Sequence, residues 1–144
     1  MVRFWDTSAV IPLLVHEPTT SHLLTDLRED EHMIVWWATR VECVSALTRR
    51  GREGGLDAAG ESQARAALDL LISSWSEVQP TERVRSLAER LLAVHPLHAA
   101  DALQLASTLV WSSGIPDQRP FYCLDGRLSD AARKEGFAVQ PSNW

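Results

Sequence analysis

The sequence predicts an α/β fold with a largely parallel sheet and helices on both of its faces. Two observations support this prediction. Short β-prone apolar runs alternate with longer segments of helical periodicity from the first residues to about residue 140, and no repeat, linker or low-complexity stretch interrupts the alternation. Strands that alternate with helices build parallel sheets, because each parallel connection needs a crossover and the crossover is usually a helix.

The first half of the chain begins with a strand, a turn and a helix. Residues 2–5 are mostly apolar, and the polar residues 6–8 that follow are suited to cap a helix beginning near Ala9. Val41, Val44 and Leu47 then repeat at helical spacing. The elements predicted after the first helix are a helix at 19–30, a strand at 33–36, and helices at 39–52 and 56–75.

The second half continues the same alternation. Pro96 closes an amphipathic helix, and Gly136 releases the last helix into a final strand. The predicted elements are strands at 76–80, 120–124 and 137–140 and helices at 81–95, 98–113 and 127–135. With 144 residues, this pattern predicts one domain that spans residues 1–144.

Composition indicates an ordinary folded protein, with 45% hydrophobic and 23% charged residues. No apolar stretch is long enough to cross a bilayer and the N-terminus lacks a basic segment followed by a long apolar one, so we expect a cytoplasmic protein with no membrane contact. Cys43 and Cys123 are far apart and lie in no C-x-x-C motif, which favours reduced, buried thiols.

The charge balance excludes a protein that coats nucleic acid through bulk positive charge, because the net charge is −5. A local basic groove remains compatible with that value. Lys134 is the single lysine among 14 basic residues, which favours bidentate arginine contacts to phosphate or carboxylate. An arginine-rich genome is the alternative explanation.

Two aspartates stand directly after predicted strands. Asp6 follows the first strand and Asp125 follows the strand at 120–124. In open parallel sheets, ligands bind outside the carboxyl ends of the strands, so both carboxylates reach one crevice if these strands are neighbours. The alternative is that each aspartate only caps the helix after it.

Two further acids lie within predicted helices. Glu42 has no basic residue three or four positions away, and Asp101 is the only acid in the nearly apolar segment 97–110. Asp101, Gln104 and Thr108 share one helical stripe and can face a common pocket. A carboxylate in such apolar surroundings must pair, bind a metal or become protonated. The alternatives are a solvated Glu42 and an ion pair between Asp101 and His98 or an arginine.

Other chemistries are less well supported. Pro96 breaks the helix that would align His95 with His98, so a histidine metal pair is disfavoured. A phosphoacceptor receiver needs a lysine at a late strand end, whereas Lys134 lies inside a predicted helix. A D-x-D phosphatase needs an acid where Ser8 stands.

Four segments, at 4–10, 41–47, 97–106 and 124–132, together resemble the acidic motifs of VapC-type PIN domains in order and spacing. They carry D-T-S-A near the start, E-x-x-S-A in mid-chain and A-x-D-A-L-x-L-A late in the chain. Each motif alone is weak, but their combination is specific and covers nearly the whole sequence. The chain departs from the family at Cys123, where such domains often have Thr or Ser.

The resemblance implies a five-stranded parallel sheet in the order 3-2-1-4-5 and cleavage of RNA phosphodiester bonds by a toxin that a VapB-like antitoxin restrains. It implies that Asp6, Glu42, Asp101 and Asp125 hold Mg²⁺ or Mn²⁺, which prefer carboxylate and water oxygens. A homodimer is also expected by analogy. A catalytically weak PIN-like module that binds RNA or protein is the alternative.

Further residues are candidates for substrate binding in this resemblance. Thr7 and Ser8 help to shape the metal and phosphate site, and Arg40 and Arg127 lie close in sequence to the acidic motifs, as do Arg49 and Arg50. Ordinary solvated arginines are the alternative for each of these basic side chains.

Overall fold

Five short strands form the centre of the protein in a computed structural model that describes residues 2–30 and 32–142. They are β1 (Arg3–Trp5), β2 (Met33–Trp36), β3 (Ser76–Val78), β4 (Pro120–Tyr122) and β5 (Ala138–Gln140). All neighbouring strands are parallel, and their order is β3-β2-β1-β4-β5. The predicted α/β class and the order 3-2-1-4-5 are confirmed. The predicted domain, 1–144, includes residues 1, 31, 143 and 144, which lie outside the described part.

Seven helices of the described residues connect and follow these strands. They are α1 (Thr7–Leu14), α2 (Thr20–Glu29), α3 (Thr39–Arg52), α4 (Ala58–Ile72), α5 (Glu82–Val94), α6 (Ala99–Trp111) and α7 (Gly126–Glu135). Several predicted bounds differ from the observed ones by one to three residues, and two of these differences have a clear physical cause. α1 begins at Thr7 because Asp6 is its cap, and α4 ends at Ile72 because the chain turns there and buries Trp75 in the core.

Successive buried side chains of β1, β2 and β4 enter two different cores, as the two-residue period of a strand requires. Phe4 and Phe121 pack with residues of α5, α6 and α7 on one face. Trp5 and Tyr122 pack with residues of α1 to α4 on the other face, and their rings stack with centroids 4.2 Å apart. These two cores fix β1 and β4 side by side.

The order in which successive strands are added to the sheet reverses between β1 and β4, which is the topological switch point. β2 and β3 lie on one side of β1, whereas β4 and β5 lie on the other, with Phe4 paired to Phe121 and Trp5 to Tyr122. The backbone N–H of Asp6 donates to the carbonyl of Tyr122 at 2.8 Å. Such a switch point leaves a crevice at the carboxyl ends of the central strands, where α/β proteins bind ligands.

Both cysteines are free and buried, which confirms the predicted buried thiols. Within the described residues, none of the helices has the length and apolar character that a membrane crossing requires.

Candidate functional site

A cleft of about 500 Å³ opens at the switch point, and all four predicted acids line it. α1, α3, α6 and the start of α7 supply its walls. The acidic lining residues are Asp6, Glu42, Asp101 and Asp125, and the other polar ones are Thr7, Ser8, Ser45, Arg49 and Gln104. Residues separated by more than a hundred positions in the chain therefore share one cavity.

Asp6 both caps α1 and lines the cleft. Its Oδ2 accepts hydrogen bonds from Ser8 N at 3.0 Å, Ser8 Oγ at 2.5 Å and Cys123 Sγ at 3.7 Å. The side chain is almost inaccessible, and burial raises the pKa of its carboxyl to about 6, against the opposing hydrogen bonds from Ser8 and with smaller contributions from Glu42 and Asp101. Asp6 therefore caps the helix, as the alternative interpretation expected, and also lies in the cleft.

Glu42 lies in the first turn of α3, and one of its oxygens is held from two sides. Oε1 accepts from Thr7 Oγ1 at 2.6 Å and from Gln104 Nε2 at 2.7 Å. Hydrogen bonds to an ionised carboxylate are short and strong, so this oxygen is well fixed. The partly buried Glu42 is therefore not the freely solvated glutamate of the alternative interpretation.

Asp101 lies in the first turn of α6. Burial raises its pKa, and the charge of Asp125 raises it further, whereas a backbone hydrogen bond from His98 and the charges of His98 and Arg127 lower it. Within residues 2–30 and 32–142 no basic side chain lies within salt-bridge distance of Asp101, so the cationic influence of His98 and Arg127 acts over a longer range than a direct ion pair. Asp101 therefore makes no direct ion pair in the described part of the chain.

The polar stripe predicted on α6 is only partly correct. Asp101 and Gln104 line the cleft. Thr108 is buried elsewhere and donates to the backbone carbonyl of Gln104 at 2.8 Å, because a threonine within a helix can satisfy its hydroxyl four residues back.

Asp125 caps α7 as its Oδ1 accepts from Leu128 N at 2.9 Å, and it also lines the cleft. Cys123, which stands where domains of the resembled type often have Thr or Ser, still contacts the acidic residues. Its thiol lies 3.7 Å from Asp6 Oδ2 and 3.5 Å from the carbonyl oxygen of Asp125. Burial raises the pKa of the Cys123 thiol well above its ordinary value, so the thiol stays protonated and serves as a weak donor.

The basic candidates occupy different positions. Arg49 lines the cleft, whereas Arg40 and Arg127 are exposed and are not among the lining residues. Arg127 is still close enough for its charge to lower the pKa of Asp101. Arg50 is held by Glu17 in an ion pair of 2.5 Å. His95 Nε2 lies 2.7 Å from Glu135 Oε2.

Gln104 is the residue whose importance the sequence showed least. Its Nε2 contacts Thr7, Thr39 and Glu42, whereas its Oε1 is buried and has no hydrogen-bond partner. An unsatisfied buried polar atom costs about 1–3 kcal/mol. The only signal in the sequence was its position three residues after Asp101, on the same stripe.

The donor set suits a hard divalent cation in its chemistry. Carboxylate and hydroxyl oxygens are the ligands that Mg²⁺ and Mn²⁺ prefer. The described hydrogen bonds to Asp6, Glu42 and Asp125 each use one carboxylate oxygen, so the second oxygen of each has no described protein donor. Among the described residues, no three His, Cys, Asp or Glu side chains converge as a ready metal site.

The fold and the cleft together define an α/β protein of PIN-like fold with four carboxylates at its switch point. Solved structures that share this fold include VapBC2 and FitAcB. VapBC2 from Rickettsia felis, bound to a DNA fragment from its promoter, is 9% identical with a TM-score of 0.66 and coverage of 97% of this chain and 98% of that chain. FitAcB from Neisseria gonorrhoeae is 16% identical with a TM-score of 0.66 and 96% coverage of both chains.

These identities are low, so the likeness concerns the fold. No protein-family model and no curated protein matches the sequence.

Proposed function

We propose that this protein is a divalent-metal-dependent endoribonuclease and the toxin of a type II toxin-antitoxin system. The observation that carries the proposal is the meeting of Asp6, Glu42, Asp101 and Asp125 in one cleft at the switch point of a PIN-like fold. The likeness to VapBC2 and FitAcB supports the toxin assignment.

The four carboxylates would hold Mg²⁺ or Mn²⁺. When bound, such a cation lowers the pKa of a water molecule that attacks the phosphodiester and stabilises negative charge on the reacting phosphate. The protein supplies the orientation: Ser8 fixes Asp6, Thr7 and Gln104 fix Glu42, and Leu128 N fixes Asp125. The reaction needs no covalent enzyme intermediate, because water is the nucleophile.

Basic and hydroxyl groups around the cleft would bind the substrate. Arg49 lines the cleft and is suited to a flanking phosphate, which its planar guanidinium contacts with two N–H donors. Thr7 and Ser8 stand beside the acids and shape the phosphate site. Arg127 and Arg40 are exposed and do not line the cleft, so we assign them weaker contacts to phosphates outside it.

A VapB-like antitoxin is the expected partner, and a homodimer is the expected assembly. The acidic cleft favours inhibition by a cationic side chain placed near Asp6 and Asp101, because that contact would neutralise the carboxylates and compete with the metal. Inhibition that survives removal of the antitoxin's basic side chains would contradict this mechanism. We expect the toxin to act in the cytoplasm.

The test is digestion of a total RNA pool followed by sequencing of the fragment ends. We expect defined cleavage sites with Mg²⁺, none with a chelator, and none with Asp101→Asn. Asp130→Asn is the matched control, because Asp130 is an exposed acid on α7 that pairs with Arg133 at 3.2 Å outside the cleft. Cleavage by Asp101→Asn at the wild-type rate would refute the proposal.

A catalytically weak PIN-like binding module is the second candidate. It is favoured by one finding: among the described residues, no three His, Cys, Asp or Glu side chains are arranged so that they could hold a metal ion together. The same digestion separates the two: RNA that binds to the protein but stays intact at every Mg²⁺ and Mn²⁺ concentration would support the binding module.

A further inference from the structure

A buried amide joins three of the helices that surround the cleft. Gln104 of α6 has only 2% of its surface exposed. Its Nε2 lies 3.0 Å from Thr7 Oγ1 of α1, 3.1 Å from Thr39 Oγ1 of α3 and 2.7 Å from Glu42 Oε1 of α3. The shortest of these contacts is the one to the carboxylate.

The contact to Glu42 is doubled by a second donor. The hydroxyl of Thr7 accepts from Gln104 and donates to the same Oε1 at 2.6 Å. Two donors from two different helices therefore fix one oxygen of Glu42. The other oxygen, Oε2, accepts no hydrogen bond that the structure describes, which leaves it for a ligand in the cleft.

The buried amide of Gln104 also has an energetic cost. Gln104 Oε1 is buried without a partner, although an apolar side chain of the same length would fill the space with no unsatisfied oxygen. Packing of α6 therefore gives no reason for an amide at this position. The donor at Nε2, directed to the carboxylate, gives one.

We propose that Gln104 is a positioning residue that holds Glu42 so that its Oε2 serves the metal in the cleft. This inference rests on the proposed metal-dependent function. Residues that hydrogen-bond to metal ligands orient those ligands, and their loss lowers metal affinity or activity about 10–100-fold.

The test compares wild type with Gln104→Met, which keeps the length of the side chain but removes its donor. Thermal melts of the protein alone in a Mn²⁺ titration report metal affinity without RNA. RNA cleavage against Mg²⁺ concentration then gives the half-saturating metal concentration, kcat and the KM for RNA. Ser112→Ala is the matched control, since Ser112 is also a buried polar residue at the end of α6 but donates only to the carbonyl of Leu109.

We expect Gln104→Met to need about tenfold or more Mn²⁺ and Mg²⁺ for half-saturation, with the KM for RNA unchanged. Ser112→Ala should keep the wild-type metal dependence. Gln104→Asn retains an amide but is one methylene shorter, so it should show the same weakening. It provides a second reading if the Met variant does not fold.

A merely structural role would lower the melting temperature and leave the half-saturating metal concentration where it is in the wild type. That result in the variants that fold would overturn the inference while the proposed function stands. A wild type that neither responds to Mn²⁺ nor cleaves RNA would instead overturn the proposed function, and the role of Gln104 would fall with it.

Discussion

Replacing Asp6 by Asn should stabilise the metal-free protein at neutral pH while it abolishes RNA cleavage. Asp6 is 5% exposed, and burial raises the pKa of its carboxyl from 3.8 to about 6. At neutral pH the folded protein must therefore keep a charge that burial disfavours. An asparagine removes that charge and still offers an oxygen to cap α1, because Asn and Asp are equally good caps.

The size of the effect follows from the pKa difference. A difference of one pKa unit corresponds to about 1.4 kcal/mol, so the rise to about 6 makes the ionised carboxyl about 3 kcal/mol unfavourable for folding. The Asn variant should regain up to this free energy of unfolding. For a domain of this size that amounts to roughly 5–10 °C in melting temperature.

Thermal melts near neutral pH with a chelator present measure the change. Asp57→Asn is the matched control, because Asp57 also caps a helix, with Oδ1 at 2.7 Å from Gly60 N, but is exposed. We expect almost no change in that control. A loss of stability in Asp6→Asn beyond the loss in Asp57→Asn would refute the reasoning, since it would mean that the ionised Asp6 is favourably paired in the folded state.

Three further predictions concern pH, the rim of the cleft and the thiols. The pKa of Asp6 is higher in the folded than in the unfolded protein, so the folded protein binds more protons between about pH 4 and pH 6. The free energy of unfolding of the metal-free wild type should therefore fall relative to that of Asp6→Asn as pH rises through that window, and stay lower above it. Urea titrations in which the two proteins show the same dependence of stability on pH would contradict this. Arg49→Ala should raise the KM for RNA several-fold and Arg40→Ala should raise it less, because only Arg49 lines the cleft. Equal effects in steady-state kinetics would contradict this difference between the two arginines. Cys43 and Cys123 should resist a thiol reagent until the protein unfolds, because both are buried and burial raises the pKa of the Cys43 thiol to about 12. Rapid labelling of the native protein would disprove their burial.

The fold was predictable because the strands and helices carry strong local signals. Phe4 and Trp5 precede a capping aspartate, and the same pattern of strand, aspartate and helix recurs at Tyr122 and Asp125. Helix ends were less predictable. The sequence pattern extends α4 to Trp75, yet Trp75 packs into the core from outside the helix. No local signal distinguishes these two ways of burying an aromatic ring.

The site was predictable only in part. The sequence resemblance pointed to the four acids, and the structure brings them to one cleft. The contacts among Gln104, Thr39 and Glu42 join α6 to α3 across more than sixty positions, so no local spacing could indicate them. For Val41 the sequence pattern predicts burial that the structure does not show. Its helical spacing with Val44 and Leu47 suggests the core, but it is 65% exposed at the rim of the cleft.

The most direct test of the account is the location of Mn²⁺ in crystals of the protein by anomalous scattering. The account predicts a peak inside the cleft, in contact with carboxylate oxygens of Asp6, Glu42, Asp101 and Asp125, and its loss in Asp101→Asn crystals. A cleft without a peak at saturating Mn²⁺, or a peak that persists unchanged in Asp101→Asn, would contradict the assignment of these carboxylates as the metal site.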